Sequence, residues 1–165
     1  MREVLIELIS NTALLLALSF IYEISYNVPF KNKHILALFN GFLIGIIGIA
    51  VMITSFELAP GHIFDARSIL IGVAALIFGP ITGITAAVIT SIFRICEGGM
   101  GTLMGVSVLA SSCLLGLVWR KYILRKNSKN RLLPLYLFGL AVHAAMILLM
   151  FILPLDRAVE TSIES

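Results

Sequence analysis

The chain is predicted to be all-α, a polytopic bundle of transmembrane helices. Three observations carry that prediction. Hydrophobic residues make up 59% of the 165 positions. Charged residues make up only 13%, against about 25% in soluble domains. Several apolar runs also approach the roughly 20 residues needed to cross a bilayer core. The mean hydropathy of +1.05 agrees, and the length leaves room for one membrane domain spanning 1–165 and no second unit.

The elements follow in order. Residues 3–25 read as a retained helix rather than a cleaved signal, because Glu3 and Glu7 stand where a basic region belongs and no A-x-A site follows. NVPFKNKH at 27–34 is a polar turn. A second helix covers 35–56 and carries Gly41, Gly45 and Gly48, a spacing that lets a neighbouring backbone come close. ELAPGHIFDARS at 57–68 is a loop rich in chemistry, with Pro60, Gly61, His62, Asp65 and Arg67. An apolar stretch at 69–93 is interrupted by Gly79-Pro80, and RICEGGMGT at 94–102 forms a second loop. A helix at 103–119 leads into WRKYILRKNSKNR at 119–131, with Trp119 and Tyr122 as interface anchors. The last helix covers 132–153 and ends at Pro154; residues 155–165 are short and polar.

The Gly79-Pro80 pair admits two geometries. Proline is tolerated inside membrane helices, so 67–94 can be one kinked span, giving five long spans. Glycine past a helix end followed by proline at the next first position equally describes a corner, giving six segments with a helical hairpin. A continuous helix would be about 40 Å long and would separate Arg67 from Arg94 across the membrane. A hairpin brings them together. Its arms of about 18 Å are too short to span alone and must be enclosed by protein. Gly72, Ala74, Ala75, Gly83, Ala86 and Ala87 would permit such enclosure.

Half of the 12 Lys and Arg residues fall within 120–131. The positive-inside rule places this segment in the cytoplasm under either geometry, and both leave the C-terminus outside. Counting does not choose between them, since one face collects 8 basic residues and the other 4 in each case. The net charge of +3 is no footprint of nucleic-acid binding, and lipid is the partner that composition implies.

Catalysis and cofactor chemistry find no support. No nucleophile, base and orienting group stand in a recognisable pattern, so the chain on its own is expected not to be an enzyme. Ser107 and Ser111, four apart, are expected to pack or bond across helices. The three histidines lack metal-ligand spacing, and the glycines of 98–101 lack the Lys-Ser/Thr ending of a phosphate loop. Cys96 and Cys113 make no disulfide framework, and Cys113 reads as a small hydrophobe in a helix. His143 and Asn11 are polar groups within apolar helices; each reads either as a functional site or as glue to a neighbouring helix.

The candidate ligand-binding residues are Asp65, Arg67, Arg94, Gly98, Gly99, Glu97 and His62. Two converging guanidiniums offer planar forks for carboxylate or phosphate. Asp65 could set their geometry, and Gly98, Gly99 and Gly101 could expose backbone N–H groups. The competing reading has the arginines reaching to headgroups, the glycines forming a tight turn, and Glu97 and His62 solvated in loops.

The run FDARSILIGVAALIFGPITGITAAVITSIFRICEGGMG resembles the core of the LytS/YhcK-type five-transmembrane receptor domain. The carrying residues are Asp65 and Arg67, then Phe78-Gly79-Pro80 with Gly83, then Arg94 with Gly98-Gly99. The resemblance covers about 35–153. It implies a bacterial plasma-membrane signal-input module for a small-molecule ligand, coupled to a cytoplasmic histidine kinase or to diguanylate cyclase and PAS domains, and it is compatible with a homodimer. The Asp65-Ala66-Arg67-Ser68 form is closer to the cyclase-linked branch. The chain departs from the family pattern in carrying no output domain and in stopping where members continue into a further helix. A looser similarity to the S-components of vitamin transporters, which share an F-G-P-x-x-G corner, favours the hairpin. It supplies the alternative function, a substrate-binding transporter subunit.

Overall fold

The computed structural model describes residues 13, 16–23, 32–54, 67–98, 102–125 and 132–152. Six helices account for almost all of them: α1 at 16–23, α2 (Lys33–Thr54), α3 (Arg67–Phe78), α4 (Pro80–Glu97), α5 (Thr102–Arg125) and α6 (Leu132–Ile152). Among the described residues there is no strand. Lys33–Ile53, Pro80–Glu97 and Thr102–Ile123 are long and apolar enough to cross a membrane. A membrane protein is therefore what the helices describe.

The Gly79-Pro80 question resolves in favour of the corner. Gly79 adopts φ +100°, in the left-handed region that a side chain disfavours, and Pro80 opens α4 as its first residue. The Gly79 N–H donates to the Ala75 carbonyl and closes α3; the Gly79 carbonyl accepts from the Gly83 N–H and starts α4. The continuous span does not form. The chain folds back, and α3 and α4 pack on each other where a Cβ on Gly83 would lie 2.7 Å from the Ala75 Cα.

The small residues of the hairpin make this possible. Ala74, Ala75 and Ala86 are fully buried, Ala87 nearly so, and Gly72 and Gly83 are buried with them. A second close approach joins α3 to α5, because a Cβ on Gly116 would collide with the Gly72 carbonyl oxygen. The third is on α2. Gly41, Gly45 and Gly48 face Thr85, Ile89 and Thr90 of α4 in turn, so these two helices run parallel. The Thr82 hydroxyl donates to the Ala37 carbonyl across the same seam at 2.9 Å. The sequence spacing of glycines on α2 thus did foretell close packing.

These seams place α3 at the centre. Leu70 and Ala74 pack with Leu18 and Ile21 of α1, Ile44 of α2 and Ala86 of α4. Ile71 and Ala75 pack with Leu109 and Cys113 of α5, where Cys113 behaves as the small hydrophobe expected. Leu76 meets Phe138 and Val142 of α6. Trp119 donates its indole N–H to the Pro134 carbonyl at 2.7 Å and lies against Phe138, so it ties α5 to α6 as well as sitting near a helix end.

Several boundaries shift from expectation. The helix expected at 103–119 continues to Arg125, so part of the basic segment is helical. Asn32 caps α2 by accepting the His34 N–H on its side-chain oxygen, which moves that start to Lys33. Arg67 and Arg94, assigned to loops, are both helical. Ser107 and Ser111 do not bond across helices. Each hydroxyl returns to a carbonyl of its own helix, Leu103 and Val108 respectively, because that acceptor is within reach without any neighbour. Asn11 lies outside the described residues.

Replacing Gly116 by Val should force α3 and α5 apart and lower stability by about 1–3 kcal/mol, the usual cost of overpacking. Thermal unfolding of the purified chain in detergent reads this directly, and Gly139→Ala, where an added methyl meets nothing within 4 Å, is the control.

Candidate functional site

The hairpin and the direction of its neighbours sort the charged residues between two ends of the bundle. At the corner end lie Gly79, the start of α2 with Lys33, and the end of α5 with Arg120, Lys121 and Arg125. At the opposite end, here the mouth, lie the first residue of α3, the last turn of α4 and the start of α5. Arg67 is the first residue of α3 and Arg94 stands in the last turn of α4. Folding back therefore brings two arginines 27 positions apart to one place.

Arg67 is 8% exposed, an unusual degree of burial for a guanidinium. It feels the positive charge of Arg94 and the negative charge of Glu97, so the three groups share one electrostatic neighbourhood. Arg94 has only 12% of its side chain exposed. Its Nη1 donates to Glu97 Oε2 at 2.6 Å, while its Nε is buried with no hydrogen-bond partner among the described residues. The side chain lies across Gly105 of α5, where a Cβ would sit 3.1 Å from Nε. Gly105 is thus the gap that lets Arg94 lie down along the bundle instead of reaching out to headgroups.

Helix ends add to the field. The N-terminus of α3 points its positive dipole end at the mouth, on the same side as both guanidiniums. The C-terminus of α4 opposes it, and Arg94 sits favourably in that last turn. Gly98 ends α4 with φ +73°, its N–H returning to the Arg94 carbonyl at 3.2 Å. Among the described residues nothing lies within 4 Å of where its Cβ would be.

Of the seven candidate residues, Arg67, Arg94, Glu97 and Gly98 come together at the mouth. His62, Asp65 and Gly99 lie outside the described residues, as does Gly101. Among the described residues no group of three or more His, Cys, Asp or Glu is placed to hold a metal ion.

Sequence reasoning missed one arginine. Arg120, assigned to the basic topology segment, instead reaches the hairpin corner. Its Nη1 donates to the Leu76 and Ile77 carbonyls at 2.7 and 2.6 Å, and its guanidinium carbon lies 3.4 Å from the Cβ position of Gly79. A cation on the last carbonyls of α3 satisfies acceptors that the helix end leaves open and complements its dipole. The available signal was periodicity: Arg120 follows Gly116 by four residues, so the two share a helix face, and Gly116 is the residue pressed on α3.

Fold and mouth together define a helical membrane domain whose buried cations gather at one end of a hairpin. The chain belongs to the 5TMR-LYT family: the family description "5TMR of 5TMR-LYT" matches residues 19–163, which takes in every described helix but the first residues of α1. This family is a membrane sensor domain of receptors. No curated protein and no solved structure matches the chain.

Proposed function

We propose that this chain is the signal-input module of a bacterial receptor, that it binds a small anion at the Arg67–Arg94 mouth, and that a cytoplasmic histidine kinase or diguanylate cyclase reads the result. The observation that carries the proposal is the pair of buried guanidiniums at one end of the hairpin, repelling each other, with Glu97 as a nearby counter-charge and the Arg94 Nε unsatisfied. Charges are costly inside a membrane domain and mark functional paths. Two cations held together store repulsion that an arriving carboxylate or phosphate relieves, and each planar fork can grip two oxygens. An anion bridging Arg67 on α3 and Arg94 on α4 would draw the open ends of the hairpin together. Binding becomes a signal only if that closed arrangement has the higher ligand affinity, which is what shifts a two-state population. The transporter-subunit reading would use the same mouth; family membership favours the sensor.

The corner end, with Lys33, Lys121 and Arg125, is the cytoplasmic side by the positive-inside rule in a bacterial plasma membrane. The mouth then faces outward, and the ligand arrives from outside the cell.

Two outcomes are expected. Screening small carboxylates and phosphates by thermal shift of the purified chain should yield at least one stabilising anion. Arg67→Ala and Arg94→Ala should each weaken it tenfold or more, since hydrogen bonds to charged groups contribute about 1.5–3 kcal/mol, with membrane insertion intact. Second, Cys96 is exposed near the mouth and Cys113 is buried. A membrane-impermeant maleimide added to intact spheroplasts should label Cys96 and leave Cys113 untouched; labelling only from the cytoplasmic side of inverted vesicles would reverse the orientation.

A further inference from the structure

The ion pair at the mouth decides which edge of Arg94 is left free. A guanidinium offers an oxyanion two planar forks, one end-on from Nη1 and Nη2, the other side-on from Nε and Nη2. Glu97 Oε2 takes Nη1 at 2.6 Å, which removes the end-on fork. Among the described residues this is the side chain's one hydrogen bond, and Nε is buried without a partner. Nη1 is the nitrogen on the Cδ side, so Nε and Nη2 share the opposite edge. The side-on fork is therefore whole and unoccupied.

Glu97 is poorly placed to serve stability. It lies at the C-terminal end of α4, where the helix dipole disfavours a carboxylate. Its side chain is 41% exposed, and exposed ion pairs contribute little. Along a helix, cation before anion is also the weaker order. What the contact does is fix a long side chain. From the other side, Gly105 of α5 lies under the same arginine, where a Cβ would stand 3.1 Å from Nε and 3.3 Å from Cγ. Arg94 is thus held by a carboxylate at one nitrogen and by bare backbone beneath its stem.

We infer that Glu97 is a positioning residue of the anion site: it pins Nη1 of Arg94 and leaves the Nε–Nη2 edge to grip two oxygens of one carboxylate or phosphate group. The inference rests on the anion-site reading above and adds the orientation of the grip. A halide has a single centre and cannot span both nitrogens, so the pinned fork favours oxyanions over chloride. Glu97 also acts in the opposite sense, because its charge repels an anion arriving at the same guanidinium. Two substitutions separate these effects. Glu97→Gln keeps an acceptor for Nη1 and removes the charge. Glu97→Ala removes both.

The test titrates the purified full chain in detergent with acetate, succinate and inorganic phosphate, and with chloride at matched ionic strength, and reads the shift in thermal unfolding. At least one oxyanion should stabilise the unsubstituted chain beyond chloride. Glu97→Gln should bind that oxyanion at least as tightly. Glu97→Ala should bind it about threefold to tenfold more weakly than Glu97→Gln, the scale of ordering one long side chain on binding. Gly105→Ala, whose methyl displaces the arginine stem, should weaken it too. Without added oxyanion, both Glu97 variants should unfold close to the unsubstituted chain, which shows that they fold. If Gly105→Ala does not fold, the two Glu97 variants decide the matter alone. Equal binding by Glu97→Ala and Glu97→Gln, or a chloride effect as large as that of the oxyanions, would overturn the inference and leave the anion site standing. No stabilisation of the unsubstituted chain by any of the anions would remove the anion site, and the inference with it.

Discussion

The left-handed turn at Gly79 is the constraint on which the rest of the molecule depends. With φ at +100°, the chain reverses within one residue, and the methyl of Ala75 can then sit directly on the bare backbone of Gly83. Neither half of this works alone. The turn without the small residues would hold two helices too far apart to exclude lipid, and small residues without the turn would lie along one rod. Arg120 completes the corner from α5 by occupying the carbonyls of Leu76 and Ile77. Otherwise those acceptors would face a low-dielectric surrounding, where an unpaired polar group is costly.

α3 gains its position from this arrangement. At 12 residues it is too short to cross a bilayer core of about 30 Å, and it is packed on by every other helix of the bundle. Its two ends carry different chemistry. Arg67 at the mouth adds positive charge at an already positive helix terminus, a placement that nearby negative charge, Glu97 among it, offsets. Arg120 at the corner places a cation at the negative terminus, a favourable one. The two ends of the same short helix thus carry two arginines that stand in opposite relation to its dipole.

Much of the fold was legible in the residues because the bilayer restricts the options. Apolar length gave the helices, Gly-Pro order gave the corner as one of two geometries, and glycine spacing gave the tight seam of α2. The choice between kink and corner was not legible, since basic residues divided in the same ratio either way. What decided it was the fit of Gly83 onto Ala75 and of Gly116 onto Gly72, which are matters of shape between segments distant in sequence. Arg67 and Arg94 were legible as residues that a hairpin would bring together, whereas Arg120 was hidden by its basic neighbours. The bonds that Ser107 and Ser111 were expected to make across helices do not form, because a helix offers a hydroxyl its own carbonyl four or three residues back before any neighbour arrives.

The enclosure of α3 also bears on how the chain is assembled in the cell. A 12-residue segment is too short to span the core alone, so α3 is expected to enter lipid joined to α4 as a hairpin. Its flank at Gly72 and Leu76 is covered first by Gly116, Leu115 and Trp119 of α5 and completed by Phe138 of α6, which follows α5 in the chain. During elongation the central helix of the domain therefore gathers partners from both directions along the chain, and a ribosome paused before α6 would leave Leu76 without Phe138 and Val142.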